Sequence, residues 1–104
     1  MPIVPEAVLD EAARRFSLLG VPSRLRILST LHDAGECTVG ELAAATDIAL
    51  PNVSQHLARL AAGGLVRGRR EGRAVRYRIA DPTIEALCDI VCAQVKDRAR
   101  VLGR

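Results

Sequence analysis

A chain of 104 residues, 49% hydrophobic and 26% charged, has the size and composition of one globular domain spanning residues 1–104, which excludes a disordered tail, a collagen-like repeat and a coiled-coil rod. Phe16 and Tyr77 are its only aromatic residues, which argues against a single-strand binder that stacks bases and against an aromatic ligand cage. The net charge of +3 is modest, but six arginines (Arg67, Arg69, Arg70, Arg73, Arg76 and Arg78) crowd into one short stretch.

In chain order, Val8, Ala12, Phe16 and Leu19 recur at helical spacing and predict a first helix over Pro5–Leu19, ended by Gly20. A second begins at Pro22 or Ser23, carries Leu25, Ile27, Leu28 and Leu31 inward with Arg24 and Arg26 on its exposed face, and stops at Gly35. His32 near its end is a favourable cation for a helix C-terminus. Thr38-Val39-Gly40-Glu41 is a capping-box pattern that starts a short third helix over Val39–Thr46. After the tight connection Asp47-Ile48-Ala49, Pro51 suits the first turn of a fourth helix whose Val53, Leu57 and Leu60 face inward, and Gly63-Gly64 ends it.

The period then changes. Leu65–Arg70 and Ala74–Ile79 read as two strands hinged at Glu71-Gly72-Arg73, with Val75, Tyr77 and Ile79 on one face and Arg76 and Arg78 on the other. Asp81 caps and Pro82 opens a fifth helix with the apolar stripe Ile84, Leu87, Cys88, Val91 and Val95. The expected fold is mainly α with a β-hairpin wing: a winged helix-turn-helix, four helices, two strands and a last helix.

Two short helices joined by a tight turn and followed at once by an arginine-rich hairpin suit binding to double-stranded DNA. The fourth helix would enter the major groove and present Asn52, Ser54, Gln55, His56 and Arg59, side chains that read base edges and phosphates. Arg67, Arg69, Arg70, Arg73 and Arg76 of the wing would reach phosphates or the minor groove, Glu71 neutralising one arginine at most. The competing reading is a solvated helix face and a solvated charge run. No enzyme is expected, because two histidines and no Gly-rich phosphate loop provide no nucleophile–base constellation. No apolar run approaches the ~20 residues that cross a bilayer, and no secretory signal opens the chain, so a cytoplasmic protein with no membrane partner is expected. Three cysteines, an odd number, suit reduced thiols better than a disulfide framework.

The stretches Leu19-Gly20-Val21-Pro22-Ser23-Arg24-Leu25-Arg26-Ile27-Leu28, Val39-Gly40-Glu41-Leu42-Ala43, Asn52-Val53-Ser54-Gln55-His56-Leu57-Ala58-Arg59-Leu60, Gly64-Leu65-Val66, and Arg70-Glu71-Gly72-Arg73 leading to Tyr77-Arg78-Ile79-Ala80-Asp81 together resemble the ArsR/SmtB metal- and thiol-sensing winged-helix repressors. The resemblance implies a homodimer joined through its first and last helices, bound to operator DNA and released by an effector. The family's zinc-type site on the last helix aligns with Asp81, Thr83, Gln94 and Asp97, where both histidines are missing, and this argues against a nitrogen-rich zinc or nickel site. The cysteine pair of the arsenic and cadmium sensors is also incomplete: Cys37 falls one residue early, and Gly40 takes the second position.

What remains is Cys88 and Cys92, which share a face of the last helix at i and i+4, with Cys37 far upstream. A soft metal or metalloid ion held by these thiolates is the leading expectation for a cofactor or effector. Thiol oxidation or persulfidation is the alternative, as are purely structural cysteines in a winged-helix architectural or interaction protein.

Overall fold

The computed structural model describes residues 4–101. Its elements run α1 (Glu6–Leu19), α2 (Pro22–Ala34), β1 (Cys37–Thr38), α3 (Val39–Thr46), α4 (Leu50–Ala62), β2 (Val66–Glu71), β3 (Ala74–Ile79) and α5 (Pro82–Val101). The five helices and the hairpin fall in the expected order. One strand is additional: β1 pairs antiparallel with β3, Cys37 opposite Tyr77 and Thr38 opposite Arg76, so the hairpin becomes a three-stranded sheet ordered β1-β3-β2. Two residues are too few to show an alternating pattern, and only the partner strand makes them a strand.

Local chemistry sets the turns. Thr38 Oγ1 accepts the Glu41 N–H at 3.1 Å while Glu41 Oε1 accepts the Thr38 N–H at 2.8 Å, the reciprocal cap expected for α3. Asp47 leaves α3 with φ at 58°, a left-handed conformation that a short polar residue tolerates, and this makes the tight corner into α4. Gly72 turns the hairpin at φ 64°. Gly68 of β2 lies against β3 so closely that a Cβ there would meet Val75 Cγ1 at 2.8 Å.

Ile27, Leu28 and Leu31 of α2, Leu42 of α3, Val53, Leu57 and Leu60 of α4, and Leu65 form a fully buried core. It holds the turn between α3 and α4 rigidly against the sheet. Ile84 ties the start of α5 to this core, and Leu87 and Cys88 pack on its edge. Among the described residues no helix is long and apolar enough to cross a membrane.

Two expectations for α2 are overturned. Arg24, expected on the exposed face, is only 9% exposed, whereas Leu25, assigned to the inward stripe, is 43% exposed. The reason is that α2 faces α4 on the side of Arg24: its Nε donates to His56 Nδ1 at 3.2 Å and its NH1 to the Leu18 carbonyl at 3.4 Å. A buried guanidinium is tolerated because these acceptors replace water.

Candidate nucleic-acid interface and thiol pair

The inward residues of α4 are Val53, Leu57 and Leu60, so its opposite side carries Asn52, Ser54, Gln55 and Arg59 into solvent. His56, expected among the reading residues, is half-buried and turned toward α2, where it accepts the Arg24 hydrogen bond. Burial, with the charges of Arg24 and Arg59, pushes its imidazole below the ordinary histidine range, and the neutral ring is the form that can accept from a guanidinium. His56 thus positions α4 on α2.

The wing is less uniformly cationic than its sequence. In the β2–β3 register Arg67 faces Arg78 and Arg69 faces Arg76, two like-charged cross-strand pairs on one face of the ribbon. The second pair is compensated. Glu71 Oε2 lies 3.3 Å from both Arg69 NH2 and Arg76 Nε, Glu36 Oε1 holds Arg69 at 2.8 Å, and Glu41 Oε1 holds Arg76 at 3.4 Å. The hydrogen bond from Arg69 keeps the Glu36 carboxyl below its usual range, and the Thr38 backbone N–H does the same for Glu41. One glutamate was expected to offset one arginine; three carboxylates instead engage two, because β1 brings Glu36 and Glu41 against the wing. Arg67, Arg70, Arg73 and Arg78 form no salt bridge among the described residues.

Of the cysteines, Cys37 is buried in β1, Cys88 is half-buried and Cys92 exposed, the last two one turn apart on α5. Burial pushes the Cys88 thiol up, and Cys92 and Asp89 reinforce the shift. Burial also raises Cys37. Cys88 and Cys92 share a cavity of about 230 Å³ with Phe16, Leu19, Leu25 and Val91, and a cleft of about 170 Å³ with Ser29, His32 and Lys96. Cys37 lines neither. His32, expected only as a helix-end cation, joins α2 to α5: its Nε2 lies 2.9 Å from Asp89 Oδ1, and Nδ1 faces Glu85 at 3.5 Å. Among the described residues no group of three or more His, Cys, Asp or Glu side chains is arranged to hold a metal ion.

A helix-turn-helix domain family matches residues 19–69. The HTH-type transcriptional repressor SmtB of Mycobacterium tuberculosis (strain H37Rv) is 43% identical over 77 residues, 74% of this chain; the match spans only 56% of that relative's length. The crystal structure of the AntR antimony-specific transcriptional repressor superposes with a TM-score of 0.88 at 29% identity, covering 96% of this chain and 90% of that one. A homodimeric winged helix-turn-helix DNA-binding domain from Mycobacterium bovis, described as a possible ArsR-family transcriptional regulator, superposes at 0.79 with 36% identity, covering 93% and 92%. The chain belongs to the ArsR/SmtB family of winged-helix repressors.

Within this ArsR/SmtB protein, Asp81, the first of the positions aligned with the zinc-type site, is otherwise employed. Asp81 Oδ1 accepts the Thr83 N–H at 2.9 Å and Oδ2 pairs with Arg15 at 2.7 Å, contacts that hold its carboxyl below the usual range and tie α5 to α1. The Asp97 side chain lies outside the described residues. Arg24, Glu36 and Glu41 were not expected as parts of the architecture around α4 and the wing. The capping box already accounted for Glu41, and nothing local marked the other two.

Proposed function

We propose that this chain is a homodimeric, sequence-specific repressor of double-stranded operator DNA, released by an effector acting at Cys88 and Cys92. The observation that carries the DNA reading is the placement of Asn52, Ser54, Gln55 and Arg59 in solvent on a helix whose other side is wholly buried, beside a wing in which Arg67 faces Arg78 with no carboxylate between them. Such a like-charged pair is relieved by a polyanion, and phosphates supply sequence-independent affinity while base edges supply specificity. Exposed Val8 and Phe16 on α1 and Ile90, Val91 and Val95 on α5 support the dimer, and the M. bovis relative is itself homodimeric.

For the effector, paired thiols on one helix face suit a soft metal or metalloid ion, and the similar AntR is antimony-specific. Cys37, buried in the core, is left out of the site. The test is a salt titration of the reduced protein on duplexes selected from a random pool and on scrambled controls, repeated with a thiophilic ion. Preference for the selected duplex, a steep salt slope, thiolate-to-metal absorbance and release from DNA are expected. Equal affinity for both duplexes would favour an architectural role; release by peroxide or polysulfide alone, reversed by dithiothreitol, would favour redox sensing.

A further inference from the structure

Arg24 is buried, and among the described residues no carboxylate pairs with it. Its Nε and NH1 donate to His56 Nδ1 and to the Leu18 carbonyl, both neutral acceptors, while NH2 has no partner among the described residues. A buried cation without a counterion is costly unless a ligand supplies one. Arg24 lines a cleft of about 510 Å³ between α1, α2 and α4, with Arg14, Ser17, Leu18, Arg59 and Gly63. One end is tight: a Cβ on Gly63 would collide with Leu18 Cδ1, so the end of α4 abuts α1. Arg59 has no carboxylate partner among the described residues, and Arg14 has only Glu11, at 3.0 Å in an exposed pair of little strength. No acidic side chain lines the cleft. Arg24 and Arg59 converge: after burial itself, their charges hold the His56 imidazole below the ordinary histidine range. Neither Phe16 nor any described residue of α5 borders the cleft, which is separate from the thiol pair and from the α1/α5 face.

We infer that this cleft is a binding site for a phosphate group, with the buried Arg24 at its base and Arg59, Arg14 and the Ser17 hydroxyl at its exposed rim. A phosphate offers several oxygens at once, and planar guanidinium forks bind such oxygens in pairs, so the anion meets both the free NH2 of Arg24 and the donors of Arg59. It supplies the counterion that the fold withholds from Arg24. Because the donors come from three helices, a bound phosphate ties α1 and α2 to α4, the helix proposed to read bases. The phosphate can belong to the backbone of the duplex on which α4 sits or to a free phosphate ester; the same donors serve both. The site requires neither the thiols nor the dimer.

The test follows the arginine Nε–Hε resonances of the reduced full-length protein by NMR, without DNA, while inorganic phosphate replaces chloride at constant ionic strength. Arg24 and Arg59 are expected to shift together along one saturable curve while Arg70 and Arg73 of the wing stay in place. Ala62, an exposed residue of the same cleft, allows a perturbation that leaves the bonds of Arg24 intact. Ala62→Glu, which sets a carboxylate at the rim, should weaken phosphate about tenfold or more, and the uncharged Ala62→Gln by less than about threefold. Shifts that do not saturate, shifts shared with the wing arginines, or equal phosphate affinity in the two variants would overturn the site. The two variants on duplex DNA then identify the source. A salt slope lower by about one in Ala62→Glu, with inorganic phosphate competing against the duplex, assigns the cleft to a backbone phosphate; equal slopes, with phenyl phosphate binding more tightly than inorganic phosphate, assign it to a free ester. Failure of the phosphate titration would leave the operator reading standing, since that reading is judged by the preference of the wild-type protein for a selected over a scrambled duplex.

Discussion

α4 and α5 carry similar apolar stripes and meet different fates. In α4, Val53, Leu57 and Leu60 are wholly buried against α2, α3 and the sheet. Among the described residues of α5 only Ile84 is buried in the core, while Val91 is 49% and Val95 61% exposed, and Phe16 of α1 is 62% exposed. A helical stripe states that a face wants covering; it does not state by what. The chain covers the α4 face itself and leaves the α1/α5 face exposed, the face on which the proposed dimer would form.

The largest expected effect tests the self-sufficient half. Leu57→Ala should lower the free energy of unfolding by about 2–5 kcal/mol, a cavity-forming loss that denaturant titration reads at any protein concentration. Losses from Val95→Ala should instead depend on concentration, since stability gained by association follows mass action. Next, Phe16→Asp with Val91→Asp should yield a folded monomer at micromolar concentration in sedimentation. Operator affinity should fall about a hundredfold as one half-site is lost. A persistent dimer would place the interface elsewhere.

Within the half that carries α4 and the wing, Gln55→Ala should cost about 1–3 kcal/mol on a selected duplex and little on a scrambled one. Arg73→Ala should weaken both equally and reduce the salt slope by about one. Arg69→Ala should cost less than Arg73→Ala, because Glu36 and Glu71 already hold Arg69; an equal cost would mean that DNA displaces those carboxylates.

The smallest effect concerns His56. Its folded pKa lies below the unfolded value of about 6.5, so the unfolded chain takes up the proton first. The contribution is complete above that value and is lost as pH falls through the window beneath it. Denaturant titrations between about pH 7.5 and 5.5 should show wild-type stability declining more than that of His56→Gln, a difference of some tenths of a kcal/mol. Parallel profiles would contradict the half-buried neutral ring.

Contacts within a turn were legible without any structure. The Thr38–Glu41 box, Pro51 in the first turn of α4, Gly72 in the hairpin and the spacing of Val53, Leu57 and Leu60 each depend on residues a few positions apart, whose mutual reach the covalent backbone already sets. The order of elements and the side of α4 that faces solvent follow from these. The bond from Arg24 to His56 spans 32 positions and that from Arg69 to Glu36 spans 33. Such pairs exist only once helices and strands have packed, and no local pattern distinguishes a buried arginine from a solvated one. For the same reason tertiary structure alone decided which wing arginines are neutralised, that Cys37 stands apart from Cys88 and Cys92, and that an apolar cavity adjoins the thiol pair.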